Sequence, residues 1–369
     1  MPSLDDHFRA LREVRPPGRW PDLDERRPRP LSAPTLGRRL GAAAIALAVA
    51  AGGILIVVRA FRAEPRTPAP GSTAQNGLIA FSRAGPESGI YVIDPNGVDA
   101  LRVSSDPSDT GAAWSPDGSR IAFARFGEDG WSLYVMAADG TDVGRITPPA
   151  SLVDASDTDP AWSPDGTRVA FARGGREAGA ETGNADLYTV SPDGADLERL
   201  TEGPAIEGAP TWSPDGSRIA FVRYDLAAGG EPPSPTGLFV MRADGTDVID
   251  LGAEDVEAPA WSPDGSEIAY VDAAAGSIMS IRPDGSGRRR ILDMAELVGG
   301  SHLVYGVAWS PDGRALAFAA GPTDQDTHIY LVNRDGSGVT RLTDDGAPDH
   351  GPAWQTRPEP VVTPTAGAG

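Results

Sequence analysis

The amino-acid sequence predicts an all-β fold made of a repeated four-stranded antiparallel unit, preceded by one transmembrane helix. Two observations predict the repeat. Trp-Ser-Pro-Asp-Gly occurs at Trp114, Trp162, Trp212, Trp261 and Trp309, at intervals of 48, 50, 49 and 48 residues. Each copy is followed by the same order of short apolar alternations and a second Asp-Gly turn, the signature of one supersecondary unit stacked along an array. The third observation is residues 40–58, a run of 19 with no charged or strongly polar side chain.

Composition narrows the function classes. The 369 residues carry 32 Lys+Arg, all of them Arg, against 52 Asp+Glu, for a formal charge of −20. That balance excludes a nucleic-acid partner, which needs a basic face. Absence of Lys excludes a phosphate loop ending in Gly-Lys-Ser/Thr. Absence of Cys excludes disulfides, thiolate metal sites and cysteine nucleophiles. No Gly-x-Ser-x-Gly occurs, so no serine hydrolase domain of that type accompanies the repeats.

Residues 1–39 read as a cytoplasmic tail. Leu4, Phe8, Leu11 and Val14 share one helical face, Ser3 is placed to cap it, and Pro16-Pro17 ends it before Trp20. Phe8, Leu11, Val14 and Trp20 are the candidates for docking a cytoplasmic protein; the alternative is that this helix lies on the inner membrane surface. At ~1.5 Å per residue, 40–58 spans about 28 Å, enough for a bilayer core. The competing reading is a cleaved signal peptide. The 39 preceding residues and the lack of a small-x-small site after Val58 favour an anchor. Five Arg within about 15 residues before the span, against three after it, put the N-terminus inside. Residues 59–76 form a Pro-rich linker.

In each repeat an apolar strand ends in Trp, and Ser-Pro-Asp-Gly makes the turn. Pro pre-sets its torsion, Asp bonds the backbone ahead, and Gly accepts positive φ. An alternating strand follows, such as Arg120, Ile121, Ala122, Phe123 and Ala124. A third strand holds Leu133-Tyr134-Val135 or its equivalent, and a fourth ends in Arg145-Ile146-Thr147. Residues 78–103 supply strands two to four of a unit lacking its first, and the stretch around Trp354 is a first strand with nothing after it. Joined in space they complete a sixth unit and hide the exposed edges. The domain then runs over 77–354, and 355–369 is expected to be disordered.

The Pro-Ala-Trp-Ser-Pro-Asp-Gly-x-x-Ile-Ala-Phe pattern, with its Tyr-Val strand and Asp-Gly turn, resembles the TolB-like six-bladed β-propeller family over residues 77–354. The resemblance implies a six-bladed propeller of four-stranded antiparallel blades. It does not extend to the α/β domain that precedes the propeller in TolB, because a membrane span and linker stand there.

In such a blade the tight turns gather on one face, and the connections between blades on the other. Those connections contain 15 Asp or Glu and no Arg. Five positions before each Trp stand Asp109, Asp157, Glu207, Val256, Val304 and Asp349. A ring of carboxylates focuses negative potential at the channel mouth and suits a basic ligand, Ca²⁺ or another divalent cation. The alternative is that each Asp caps the turn entering its strand. With Asp159, Glu257, Tyr305 and the histidines His302 and His350, these acidic residues are the ligand or cation candidates.

The sequence thus predicts a membrane-anchored, extracytoplasmic, non-enzymatic binding or scaffold module of a bacterial cell envelope, engaging a protein, peptide, glycan or cation. Alternatives are transmembrane signalling through the tail, in the layout of an anti-sigma factor, and a metal-dependent hydrolase at the channel mouth. Topology is checked with protease on intact spheroplasts: the repeat domain is cut, while a tag before residue 3 survives. The reverse pattern would refute it.

Overall fold

The computed structural model describes residues 75–97, 100–149, 153–176, 183–225, 234–294, 303–344 and 346–357. The expected span 40–58, the tail residues Phe8, Leu11, Val14 and Trp20, and His302 lie outside them.

Among the described residues the chain forms strands only, in a repeating order. β1 (Gln75–Arg83), β2 (Gly89–Ile93) and β3 (Leu101–Arg102) come first. Then follow β4 (Thr110–Trp114), β5 (Arg120–Gly127), β6 (Gly130–Ala137) and β7 (Gly144–Arg145), and next β8 (Val153–Trp162), β9 (Val169–Arg176), β10 (Asn184–Val190) and β11 (Glu198–Arg199). After these come β12 (Ile206–Trp212), β13 (Arg218–Asp225), β14 (Ser234–Arg242) and β15 (Ile249–Asp250). The series continues with β16 (Val256–Trp261), β17 (Ile268–Asp272), β18 (Ser277–Ile281) and β19 (Arg289–Asp293). It ends with β20 (Leu303–Trp309), β21 (Ala315–Thr323), β22 (Asp326–Asn333) and β23 (Thr340–Arg341), and finally β24 (Asp349–Arg357).

Each group of four pairs antiparallel in sequence order, and β24 pairs with β1 to complete the first group as β24-β1-β2-β3. We call these groups units 1 to 6, beginning with the one that contains β1. Single parallel bridges, Trp131 to Ser156 and Ala185 to Ile206, join units 2, 3 and 4 edge to edge. First strands touch in the series β4, β8, β12, β16, β20, β24, and β24 touches β4 again.

Apolar side chains are buried between units rather than within them. Ile90 and Val92 of unit 1 pack against Ile121 and Phe123 of unit 2, and Leu133 and Val135 of unit 2 against Val169 and Phe171 of unit 3. The pattern continues around the array until Ala317 and Ile329 of unit 6 meet Ile79 and Phe81 of unit 1. Burying one such side chain contributes about 1.5–3 kcal/mol. A period-two strand buried on both faces has to place both apolar sets in seams, which is why these strands read as near-continuous apolar runs.

The turns repeat atom by atom. Ser115 Oγ donates to Asp117 Oδ1 at 2.6 Å, and Asp117 Oδ1 accepts the Ser119 N–H at 3.0 Å. Ser115 Oγ also accepts the Arg120 N–H at 2.9 Å. Ser163–Asp165, Ser213–Asp215, Ser262–Asp264 and Ser310–Asp312 repeat the 2.6 Å bond. Donors converging on one carboxylate favour its charged form. The Ser115 hydroxyl leads in holding Asp117 below the ordinary carboxylate range, and Ser213 leads in bringing Asp215 down to about 2. The second turn meets the preceding unit: a Cβ on Gly140, which has φ +86°, would lie 1.9 Å from the Val103 carbonyl oxygen.

The chain ends differ from the sequence expectation. Gln75 and Asn76, assigned to the linker, belong to β1, and residues 355–357, assigned to a disordered tail, belong to β24. Gln355 stands where other units have the turn serine. Its Oε1 accepts the Leu78 N–H at 3.1 Å and its Nε2 donates to the Gly118 carbonyl at 2.8 Å. Asn76 exchanges two hydrogen bonds with Asp312 of unit 6, at 3.1 and 3.2 Å.

Gly140→Ala combines positive φ with a backbone clash and is expected to cost at least about 2 kcal/mol in urea unfolding. Gly144→Ala, which meets nothing within 4 Å, should stay within about 0.5 kcal/mol of the parent.

Candidate functional site

The carboxylates five residues before each Trp are buried, and each is held by an arginine. Asp109 receives Arg125 at 2.6 and 2.8 Å, and Asp157 receives Arg173 at 2.6 and 2.8 Å. Asp349 receives Arg83 at 2.7 and 3.0 Å. Glu207 takes both Arg223 contacts, 3.0 and 2.7 Å, on Oε1. Each guanidinium also lies over two aromatic rings of its unit: Arg83 over Phe81 and Tyr91, Arg125 over Phe123 and Tyr134, Arg173 over Phe171 and Tyr188, Arg223 over Phe221 and Phe239. Charge-assisted bidentate pairing and cation–π stacking reinforce one another here.

The expected ring of free negative charge is therefore not what Asp109, Asp157, Glu207 and Asp349 form: each carboxylate is paired with a guanidinium. The physical reason is their burial: a carboxylate sheltered to this degree needs a partner. The connections contain no Arg because the partner comes from the second strand, 16 residues later in units 2, 3 and 4. In units 5 and 6 the acid and the arginine are lost together. Val256 faces Asp272, and Val304 faces Ala320.

One residue further along, the first strands present a different set. Thr110, Thr158, Gly208, Glu257, Tyr305 and His350 occupy equivalent registers, opposite Ala124, Ala172, Val222, Val271, Ala319 and Ser82. All but Gly208 are partly exposed. The next position is a β-bulge residue with positive φ in every unit: Gly111, Asp159, Ala209, Ala258, Gly306 and Gly351. Ala209 and Ala258, at φ 49° and 47°, hold a conformation that glycine adopts without strain. Bulges re-aim side chains at sheet rims, and this one repeats around the closed circle of first strands. Asp159 Oδ2 reaches the Ala209 N–H of the next unit at 3.3 Å.

The structure brings together three sequence candidates, Glu257, Tyr305 and His350, at one register in units 5, 6 and 1. Tyr305 and His350 meet edge to face, with ring centroids 5.5 Å apart, and His350 Nδ1 lies 3.4 Å from Thr327 Oγ1. Sequence reasoning missed the arginines and the bulge; the Phe-x-Arg spacing on the second strand is the signal that could have found the first. Among the described residues no group of three or more His, Asp or Glu can hold a metal ion. His328 is buried in β22, with Nε2 2.9 Å from Asp326 Oδ1.

No family model matches the chain, and no curated protein matches it. Similar solved structures include TolB from Acinetobacter baumannii, at 21% identity and TM-score 0.60, covering 76% of this chain. This chain spans 66% of that TolB chain. A nidogen/laminin complex matches at 13% identity and TM-score 0.58, covering 75% of this chain and 98% of that one. An oligogalacturonate lyase in complex with manganese matches at 17% and 0.50, covering 75% and 83%. At these identities the likeness shows the fold, a β-propeller, and nothing more.

Arg173→Ala leaves Asp157 buried and unpaired and is expected to cost about 3–5 kcal/mol. Asp157→Val with Arg173→Ala copies the Val304–Ala320 arrangement of unit 6 and should recover most of the loss in chemical denaturation.

Proposed function

We propose that this chain is a six-bladed propeller, anchored by its N-terminal span outside the cytoplasm, that serves as a non-enzymatic binding or scaffold module of the cell envelope. Its partner is a protein, peptide or glycan, engaged at the mouth formed by the first strands. One contrast carries the reading. Turn-face residues repeat in five units, with the same serine–aspartate bond in each turn, whereas the register occupied by Glu257, Tyr305 and His350 holds threonine in units 2 and 3 and glycine in unit 4. A rigid scaffold with variation confined to one rim is the arrangement in which binding specificity resides. Glu257, Tyr305 and His350 offer a carboxylate, a phenol and an imidazole from three consecutive units, the kind of mixed polar and aromatic set that orients a ligand.

A photo-crosslinking residue in place of Tyr305 is expected to give a discrete adduct in living cells, and one in place of Asp244, on the turn face, none. Equal labelling from both positions, or none from either, would refute the mouth as the binding surface.

A further inference from the structure

The hairpin between β5 and β6 turns at Glu128 and Asp129, with Gly127 opposite Gly130 and Phe126 opposite Trp131. Phe126 is 51% exposed, a large apolar ring that folding leaves in water. It stands edge to face with Trp131, ring centroids 5.5 Å apart. Trp131 packs against the apolar seam between units 2 and 3, which fixes one wall of the pair. Ser108 Oγ contacts the Phe126 N–H and carbonyl, both at 3.3 Å, so the strand end is held as well. The aromatic pair is therefore presented by a braced hairpin.

Its surroundings are acidic. Asp106, Asp109, Glu128 and Asp129 stand near the tip, against Arg125 and Arg145. Arg125 is committed to Asp109 and lies 3.6 Å from Asp106, and Arg145 lies 3.2 Å from Asp129. Arg102 also reaches this side, bonding the Ser105 carbonyl beside Asp106 at 3.2 Å, so four carboxylates stand against three guanidinia among the described residues, and Glu128 is exposed. An anionic group is repelled here, and a wholly apolar partner would strip water from the carboxylates without compensation.

The protein itself shows what two rings and a carboxylate receive. Arg83, Arg125, Arg173 and Arg223 each lie 4.4–5.8 Å from two ring centroids while bonded to an acid. Phe126 and Trp131 meet at 61° rather than the 24–32° of the internal pairs, so half-exposed Phe126 is the ring offered to solvent, with exposed Glu128 two residues away. We infer that the unit 2 hairpin tip is a docking point for an arginine side chain of a basic peptide segment, its guanidinium over Phe126 and its charge toward Glu128. Arginine is favoured over lysine because a planar, weakly hydrated guanidinium stacks on a ring while still donating hydrogen bonds in its plane. This docking point is independent of the mouth.

The test uses the full-length chain with ¹⁵N-labelled tryptophan, whose eight indole signals include that of Trp131, assigned by its loss in Trp131→Phe. Titration with an end-blocked Arg-Gly-Arg peptide is expected to move the Trp131 signal saturably. Phe126→Ser, which keeps the charge, should weaken binding about fivefold, and Glu128→Gln about twofold. Both positions are exposed, so melting should not change, which separates lost docking from lost fold. An unmoved Trp131 signal, or Phe126→Ser titrating like the parent, would overturn the inference. Equal binding of the matching Lys-Gly-Lys peptide would overturn its guanidinium specificity.

Discussion

The pairing of β24 with β1 is the constraint on which the rest of the structure depends. Each unit buries its apolar faces only against its two neighbours, so an open array would leave one face of the first unit and one of the last in water. Antiparallel pairing of residues more than 260 positions apart joins those faces and leaves no unpaired first strand. Gln355 and Asn76 reinforce the joint with side-chain bonds where the turn motif is missing. A closure between chain ends is non-local, and its entropy cost rises only slowly with the length enclosed.

Around that circle the seams use two solutions to one problem. In units 1 to 4 the outer end of the seam holds a carboxylate, a guanidinium and two rings; in units 5 and 6 valine takes the place of the carboxylate. A buried ion pair of good geometry roughly balances its own desolvation, so exchange for an apolar pair is tolerated. Losing one member alone is not. The acid and the arginine accordingly vanish together, and the alternation says more about specificity of packing than about total stability.

The two ends of the strands have consequently diverged. On the turn face the Ser and Asp side chains of Ser-Pro-Asp-Gly bond to each other in five units and so hold the turn. On the connection face a positive-φ bulge follows the same register position in every unit, which holds threonine in units 2 and 3, glycine in unit 4, and Glu257, Tyr305 and His350 in units 5, 6 and 1. The hairpin of unit 2 adds an aromatic pair on that rim.

The sequence by itself determined the repeat, its strand order, the turn chemistry and the joining of the two chain ends. Each of these is local: Ser-Pro-Asp-Gly closes its own hydrogen bonds within six residues, and the alternation of Ile121, Ala122 and Phe123 declares a strand wherever it folds. Only the tertiary structure decided the meaning of Asp109, Asp157, Glu207 and Asp349, which read in sequence as a charged mouth. Their partners sit on another strand, and for Asp349 at the opposite end of the chain, so spacing in the connections carried no sign of them. The grouping of Glu257, Tyr305 and His350 was hidden for the same reason. Residues about 45–50 positions apart share one register only when the units stack around a closed circle, and each is followed by a positive-φ bulge that holds alanine in two units and glycine or aspartate in the others.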